Sequence, residues 1–183
     1  MSISVTPGVP GPHLMQAAFI VEDLDAAIDA WIRTTGIGPF FVVPNIVLTE
    51  FDYRGQRSSG LDFSVAIAQS GGVQIELIQQ HSDGPSAYRD LIAKGHQGFH
   101  HFCIYTSDYD ATRARYLAAG AESALDGLFG EVRFCYIDTS PTIGCMIELV
   151  EEHPLEGEFF ARIAEAAKDW DGVTNPIRPA FPA

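Results

Sequence analysis

Short apolar runs separated by polar turns recur along this chain, and two of them carry the same punctuation. One reads Gln16-Ala-Ala-Phe-Ile-Val-Glu-Asp23-Leu-Asp25-Ala-Ala, the other His101-Phe-Cys-Ile-Tyr-Thr-Ser-Asp108-Tyr-Asp110-Ala-Thr. In each, a polar residue opens the run, an Asp-x-Asp-Ala follows, and a helical pattern continues to a glycine, Gly36 or Gly120. A second pair matches more closely: Ile75-Glu76-Leu77-Ile78-Gln79-Gln80-His81 against Ile147-Glu148-Leu149-Val150-Glu151-Glu152-His153. Matched segments in the same order in both halves mark an internal duplication. Runs 16–22 and 101–107 are short, apolar and bounded by polar turns, as strands are. Asp23 and Asp108 suit N-caps, since a short carboxylate accepts from the free N–H groups of a first helical turn. Helices are therefore predicted over 24–35 and 109–119, with Gly36 and Gly120 just past their ends. Ala26, Ala27, Ala30 and Trp31 are the predicted inner face of the first, and Ala111, Ala114, Arg115 and Ala118 that of the second.

Three more strands complete each half: 40–50, 61–69 and 72–80, then 122–126, 131–138 and 143–151. Ser70-Gly71-Gly72 and Pro141-Thr142-Ile143-Gly144 supply tight turns before each last strand. Helix is also predicted over 85–94 and 155–168, and the Pro- and Gly-rich ends, 1–12 and 171–183, are predicted to be extended arms. The fold class is α+β, with βαβββ modules over 13–83 and 98–153. A linker helix lies within 84–97, and a C-terminal helix and extended tail occupy 154–183.

Composition narrows the partners. The net charge is −13 over 183 residues. That sign repels phosphate backbones and anionic bilayers, so neither nucleic acid nor membrane is an expected partner. No run approaches the roughly 20 apolar residues of a membrane span, and residues 1–12 lack a signal-peptide layout, so a cytoplasmic location is expected. Cys103, Cys135 and Cys145 stand singly in apolar segments and read as buried thiols.

Four polar residues sit where charge is costly. Glu76 and Glu148 lie mid-strand among Ile, Leu and Val, at equivalent places in the two halves. Two buried carboxylates that face each other repel unless a cation lies between them. Gln16 and His101 open the other matched strand pair, and each offers a lone pair. An amide oxygen, an imidazole and two carboxylates form a donor set for a divalent metal ion such as Zn, Ni, Co, Mn or Fe(II). His13 is a rival ligand to Gln16. His81 and His153 have odd parity to their glutamates and are expected at solvated strand ends. His96 reads as exposed and His100 as filling.

These motifs resemble the vicinal oxygen chelate superfamily, which holds glyoxalase I, methylmalonyl-CoA epimerase, extradiol dioxygenases and bleomycin-resistance proteins. The resemblance covers about residues 13–152 and rests on Gln16 with Asp23, Ile75-Glu76-Leu77, Gly98-Phe99-His100-His101 with Asp108, and Met146-Ile147-Glu148-Leu149. It implies a cupped mixed sheet around one metal held by Gln16, Glu76, His101 and Glu148, and a homodimer. The Gly-x-His-His strand start is most similar to methylmalonyl-CoA epimerase, the ligand set to glyoxalase I.

The chemistry implied is metal-dependent isomerisation, epimerisation or lysis of a small carbonyl compound or thioester, by removal of a proton next to the carbonyl. Glu148 is the catalytic base that the resemblance suggests. Asp62 is a candidate second base and Glu50 a weaker rival. Cys103 and Tyr105 share His101's strand parity and, with Phe134 and Tyr136, are expected to line the substrate pocket. Arg54, Arg57, Arg89 and Lys94 lie near the junction of the halves without forming a phosphate-binding cluster. An Fe(II)-dependent ring-cleaving dioxygenase and a non-catalytic small-molecule binding protein are the alternatives.

Overall fold

A computed structural model describes residues 13–181. The arm expected over 1–12 and residues 182 and 183 of the expected tail lie outside the described residues. The chain starts in β1 (Leu14–Ile20) and turns into α1 (Leu24–Thr35). The Asp23 carboxylate accepts from the Ala26 amide at 2.9 Å to start that helix. Gly36 ends it in the left-handed region at φ 73°, its N–H returning to the Ile32 carbonyl. β2 (Phe40–Leu48), a short hairpin of β3 (Phe51–Tyr53) and β4 (Gln56–Ser58), β5 (Leu61–Ser70) and β6 (Val73–Gln80) complete the first half. After α2 (Ala87–Leu91), the second half repeats the pattern as β7 (Gly98–Thr106), α3 (Tyr109–Ala118), β8 (Glu122–Phe129) and β9 (Val132–Asp138). A single helical turn, α4 (Ser140–Ile143), replaces the expected tight turn before β10 (Met146–Glu151). α5 (Pro154–Ala167) and β11 (Ile177–Pro179) close the described chain.

The eleven strands of the described residues form one mixed sheet, in the order β11-β2-β5-β6-β1-β7-β10-β9-β8-β3-β4. The order β1-β6-β5-β2 in one half is repeated as β7-β10-β9-β8 in the other, so the fold is a tandem pair of βαβββ modules. The copies meet where β1 runs antiparallel to β7. The β3–β4 hairpin belongs to the first half in sequence but pairs with β8 of the second, which curls the sheet into a cup.

Strand parity divides the apolar residues between two faces. On the outer face Ala66, Ala68, Ile75 and Leu77 pack under α1, and Ile104, Ile137, Ile147 and Leu149 pack near Tyr116 of α3. The helix faces agree with expectation in part: Ala27 and Trp31 of α1 pack against the core. Leu24 and Ile28 are buried on α1 and Tyr109 on α3, whereas Ala26, Ala30, Ala111 and Ala114 are exposed. Larger side chains remove more apolar area from water than a methyl group does, so they take the buried face. The inner face holds the largest cluster, built around Ile20, Leu61, Phe63, Tyr88, Leu125 and Met146. Among the described residues, no helix is long and apolar enough to cross a membrane.

Arg54 fastens the hairpin. Arg54 and Gly55 form its turn with φ of 46° and 74°, the positive pair that a two-residue turn of this hand requires. The Arg54 guanidinium reaches Asp90 of α2 and Asp138 at the end of β9, both at 2.7 Å. Burial raises the Asp138 pKa, but hydrogen bonds from Ser140 and Arg54 outweigh it and hold the group below its usual value. Arg54→Ala is expected to cost about 1–2 kcal/mol at neutral pH, allowing for screening of a third-exposed side chain. A depressed carboxylate pKa contributes stability above the unfolded value and loses it as pH falls through the folded one. The difference between wild type and variant should therefore shrink below about pH 4. Urea unfolding at a series of pH values measures it; a constant difference would contradict this account.

Candidate functional site

The register of four adjacent strands sets the site. Ala18 on β1 pairs with Glu76 on β6 and with His101 on β7. One step along, Gln16 pairs with Gln74 and with Cys103, and Cys103 pairs with Glu148 on β10. Laterally paired residues share a face, so Gln16, Glu76, His101 and Glu148 all rise into the cup. Ala18, between Glu76 and His101, is fully buried in the inner-face cluster.

The structure brings Glu76, His101 and Glu148 together, with one donor atom from each within 4.8 Å of the others. His101 Nε2 lies 3.5 Å from a Glu76 oxygen and 3.3 Å from a Glu148 oxygen. It is fully buried, yet it has no hydrogen-bond partner among the described residues. An orphaned ring nitrogen between two buried carboxylates is a donor set that a divalent cation satisfies. Gln16 is buried on the same cavity wall and donates its Nε2 to Gln74 at 3.0 Å. That bond leaves the Gln16 amide oxygen as the atom free to bind a ligand. His13, the rival, is exposed.

Burial alone raises both carboxylate pKa values. For Glu76 the charge of Glu148 adds to that rise, and its pKa lies above the usual value. For Glu148 the His101 imidazole, then Cys103 and Tyr136, outweigh burial and hold it below. The carboxylates in turn lift His101 to about 9 against its own burial.

His100 is the site residue that pattern reading missed. Phe19 pairs with Phe99 and Ala18 with His101, so His100 is the extra residue of a β-bulge. The bulge breaks the alternation of faces and lets adjacent histidines sit together, with Nδ1 atoms 2.9 Å apart. His100 Nε2 lies 2.9 Å from the Ala87 carbonyl, which can only accept. Burial, then the neighbouring His101, depresses the His100 pKa to about 3, so the ring is neutral. Its proton is therefore on Nε2, and Nδ1 must accept from His101 Nδ1–H. This chain fixes the His101 ring with Nε2 toward Glu76 and Glu148; that nitrogen carries a proton in the metal-free site and would offer its lone pair to a metal that displaces the proton.

Above the cluster lies a cavity of about 370 Å³. Phe134 and Tyr136 line it. Cys103 and Tyr105 do not. Cys103 is fully buried beside Glu148, below the cavity floor. The Tyr105 hydroxyl donates to the His153 carbonyl at 2.8 Å and accepts from the His153 amide at 2.9 Å, anchoring the start of α5. Asp62 is not brought to the site. Phe63, Val65 and Ile67 of β5 face the cavity, and the period-two alternation puts Asp62 on the opposite side with Ala66 and Ala68. Glu50 is exposed. His153, expected at a solvated strand end, is half-buried on the cavity wall, because α5 folds back across the cup. His81 and His96 are exposed, and all three cysteines are buried and free.

The sequence pattern of the Glyoxalase/Bleomycin resistance protein/Dioxygenase superfamily matches residues 15–136. No curated protein matches the chain. A variant methylmalonyl-CoA epimerase from Streptomyces coelicolor, in complex with 2-nitronate-propionyl-CoA, superposes with TM-score 0.53 at 20% identity, over 77% of this chain and 97% of that one. The methylmalonyl-CoA epimerase from Mycobacterium tuberculosis gives TM-score 0.50 at 22% identity, over 79% and 91%. A hypothetical protein from Bacillus halodurans C-125 gives 0.55 at 15%, over 79% and 96%. At such identities the likeness to these structures is one of fold.

Proposed function

We infer the chemistry of this site from one premise: the chain belongs to the glyoxalase/bleomycin resistance protein/dioxygenase superfamily. The reading it supports best is a metal-dependent isomerase or epimerase that removes a proton next to a carbonyl. The observation that carries it is the orphaned His101 Nε2 between the Glu76 and Glu148 carboxylates. Gln16, Glu76, His101 and Glu148 are the proposed ligands. A divalent ion held there supplies Lewis-acid stabilisation to negative charge that develops on a substrate oxygen.

The chain's own groups do the rest. Glu148 is the proposed proton acceptor; His101, Cys103 and Tyr136 stabilise its ionised form in the resting site. Inversion at carbon needs a second acid–base group on the other side of the substrate. With Asp62 on the outer face, the proposed second group is Glu76, the carboxylate that shares His101 Nε2 with Glu148. Phe134 and Tyr136 shield the reacting end from water, which strengthens the electrostatic interactions within it.

Elemental analysis of the purified protein, followed by solvent deuterium exchange into candidate carbonyl and thioester substrates, tests the reading. The expected result is about one metal per chain and exchange at the carbon next to the carbonyl. Glu148→Gln should slow that exchange by about 10²–10⁴-fold. A metal content near zero, unchanged in Glu76→Ala, together with ligand bound but unaltered, would leave only a binding protein.

A further inference from the structure

Aromatic rings bound the cavity from two different parts of the chain. From α2 and β9, Tyr88, Tyr136 and Phe134 form a ladder of edge-to-face rings with centroids 5.4 and 6.0 Å apart. Its middle ring, Tyr136, stands 5.0 Å from the ring of His101. From α5 and the tail, Phe160, Phe159 and Phe181 form a second ladder, at 5.8 and 5.7 Å. All six residues line the cavity. The second ladder owes nothing to the duplicated modules, since α5 follows β10 and lies beyond the matched segment 15–136.

The mouth has the same character. Leu155 and Phe181 line the cavity yet are 68% and 56% exposed. Single exposed apolar side chains are ordinary, but these two continue an apolar interior to the surface, as the entrance for an apolar molecule does. Among the described residues no lysine or arginine lines the cavity, and its acidic residues outside the Glu76–His101–Glu148 cluster are Glu131 and Glu156. An anionic group drawn past this wall would lose its hydration without gaining a cation. The net charge of −13 adds long-range repulsion.

We propose that the substrate of this site is an uncharged carbonyl compound with an aromatic body, whose rings pack on the two ladders while its carbonyl meets the Glu76–His101–Glu148 cluster. Ring-on-ring contacts add to the burial of apolar area, and the position of Tyr136 beside His101 puts them next to the reacting end. The inference rests on the reading of that cluster as the reacting end. It makes α5 the specificity element of the fold and separates this chain from acyl-coenzyme A chemistry.

Acetylnaphthalene, its sulfonate, the saturated analogue acetyldecalin and propionyl-coenzyme A test it by equilibrium dialysis against the zinc-loaded protein. Acetylnaphthalene should bind at least about a hundredfold more tightly than the sulfonate or propionyl-coenzyme A, the scale for burying an anion with no cation partner. It should bind about tenfold more tightly than acetyldecalin. Phe160→Leu stays apolar but removes a ring, so it should bring that tenfold preference down to about threefold; Phe159→Leu carries the same test if the first variant fails to fold. Leu155→Lys with Glu131→Lys places two cations at exposed positions of the mouth and should cut the discrimination against the sulfonate to below about tenfold. Leu128→Lys with Glu50→Lys makes the same change in net charge at exposed positions off the cavity and should leave it near a hundredfold. The sulfonate or propionyl-coenzyme A binding as tightly as acetylnaphthalene, equal binding of acetylnaphthalene and acetyldecalin, or discrimination that survives the two lysines at the mouth overturns the proposal. Zinc uptake measured on the same samples separates the two failures. Full uptake without these preferences sinks the substrate assignment alone, whereas no uptake with the preferences intact sinks the metal reading and leaves the aromatic ligand class standing.

Discussion

His101→Ala is expected to abolish metal uptake and, with it, the protein's thermal response to a chelator. His101 supplies the nitrogen of the proposed donor set, and its Nε2 is the atom closest to both carboxylates. Without it, Glu76 and Glu148 face each other with no positive group between them, and one of them must take up a proton. For wild type, free zinc at about 1,000 times Kd adds about 4 kcal/mol to folding stability. In a domain of this size that corresponds to a melting temperature about 10 °C higher with metal than with chelator. The variant should show no difference between the two conditions and should retain less than about a tenth of a metal per chain. Differential scanning fluorimetry and elemental analysis read both quantities. Equal responses in wild type and variant would remove the metal from the site.

The elements that carry this site were largely legible in the sequence because the duplication supplied an internal check. Asp23 and Asp108 cap helices at equivalent places. The matched Ile-Glu-Leu strands β6 and β10 flank the central β1–β7 pair symmetrically. Parity then put Glu76 and Glu148 on one face. Features unique to one copy could not be checked in this way. The β3–β4 hairpin turns on Arg54-Gly55, and arginine is not a residue that announces a positive φ as Asn or Asp does. On the helices the spacing places Ala27 and Trp31 on the core correctly, but Ala26, Ala30, Ala111 and Ala114 are exposed and Leu24, Ile28 and Tyr109 hold the buried positions.

The misplaced candidates share a cause: alternation tells which residues of a strand share a face, but only the neighbouring elements tell which face is the cup and what covers it. Asp62 is one residue out of phase with Phe63, the residue that faces the cup. Tyr105 has the parity of His101, but it lies near the end of β7, where α5 begins, and there its hydroxyl serves the His153 backbone. α5 was legible as a helix, but nothing local shows that it folds across the cup. Its Phe159 and Phe160 pack near Phe41 and Ile67, a contact far apart in sequence. That fold-back also carries His153 and Glu156 into the cavity.

His100→Leu is expected to weaken metal binding about 10–100-fold, the scale for removing the group that orients a ligand imidazole, and to destabilise the fold by about 2–4 kcal/mol. The second figure follows from two buried groups left unpaired, the Ala87 carbonyl and His101 Nδ1–H. Two conservative variants separate these roles. The amide of His100→Asn can place an acceptor oxygen near the position of Nδ1 without reaching Ala87. It should restore most of the metal affinity while leaving much of the stability deficit. His100→Gln can reach toward Ala87 with its amide nitrogen but offers nothing at Nδ1, so it should recover stability and not affinity. Competition titrations with a zinc indicator and urea unfolding of the chelated proteins provide the two readouts. If affinity and stability rise and fall together across all three variants, His100 is only packing, and the orientation of the His101 ring must come from elsewhere, with the edge-on Tyr136 ring at 5.0 Å the remaining candidate.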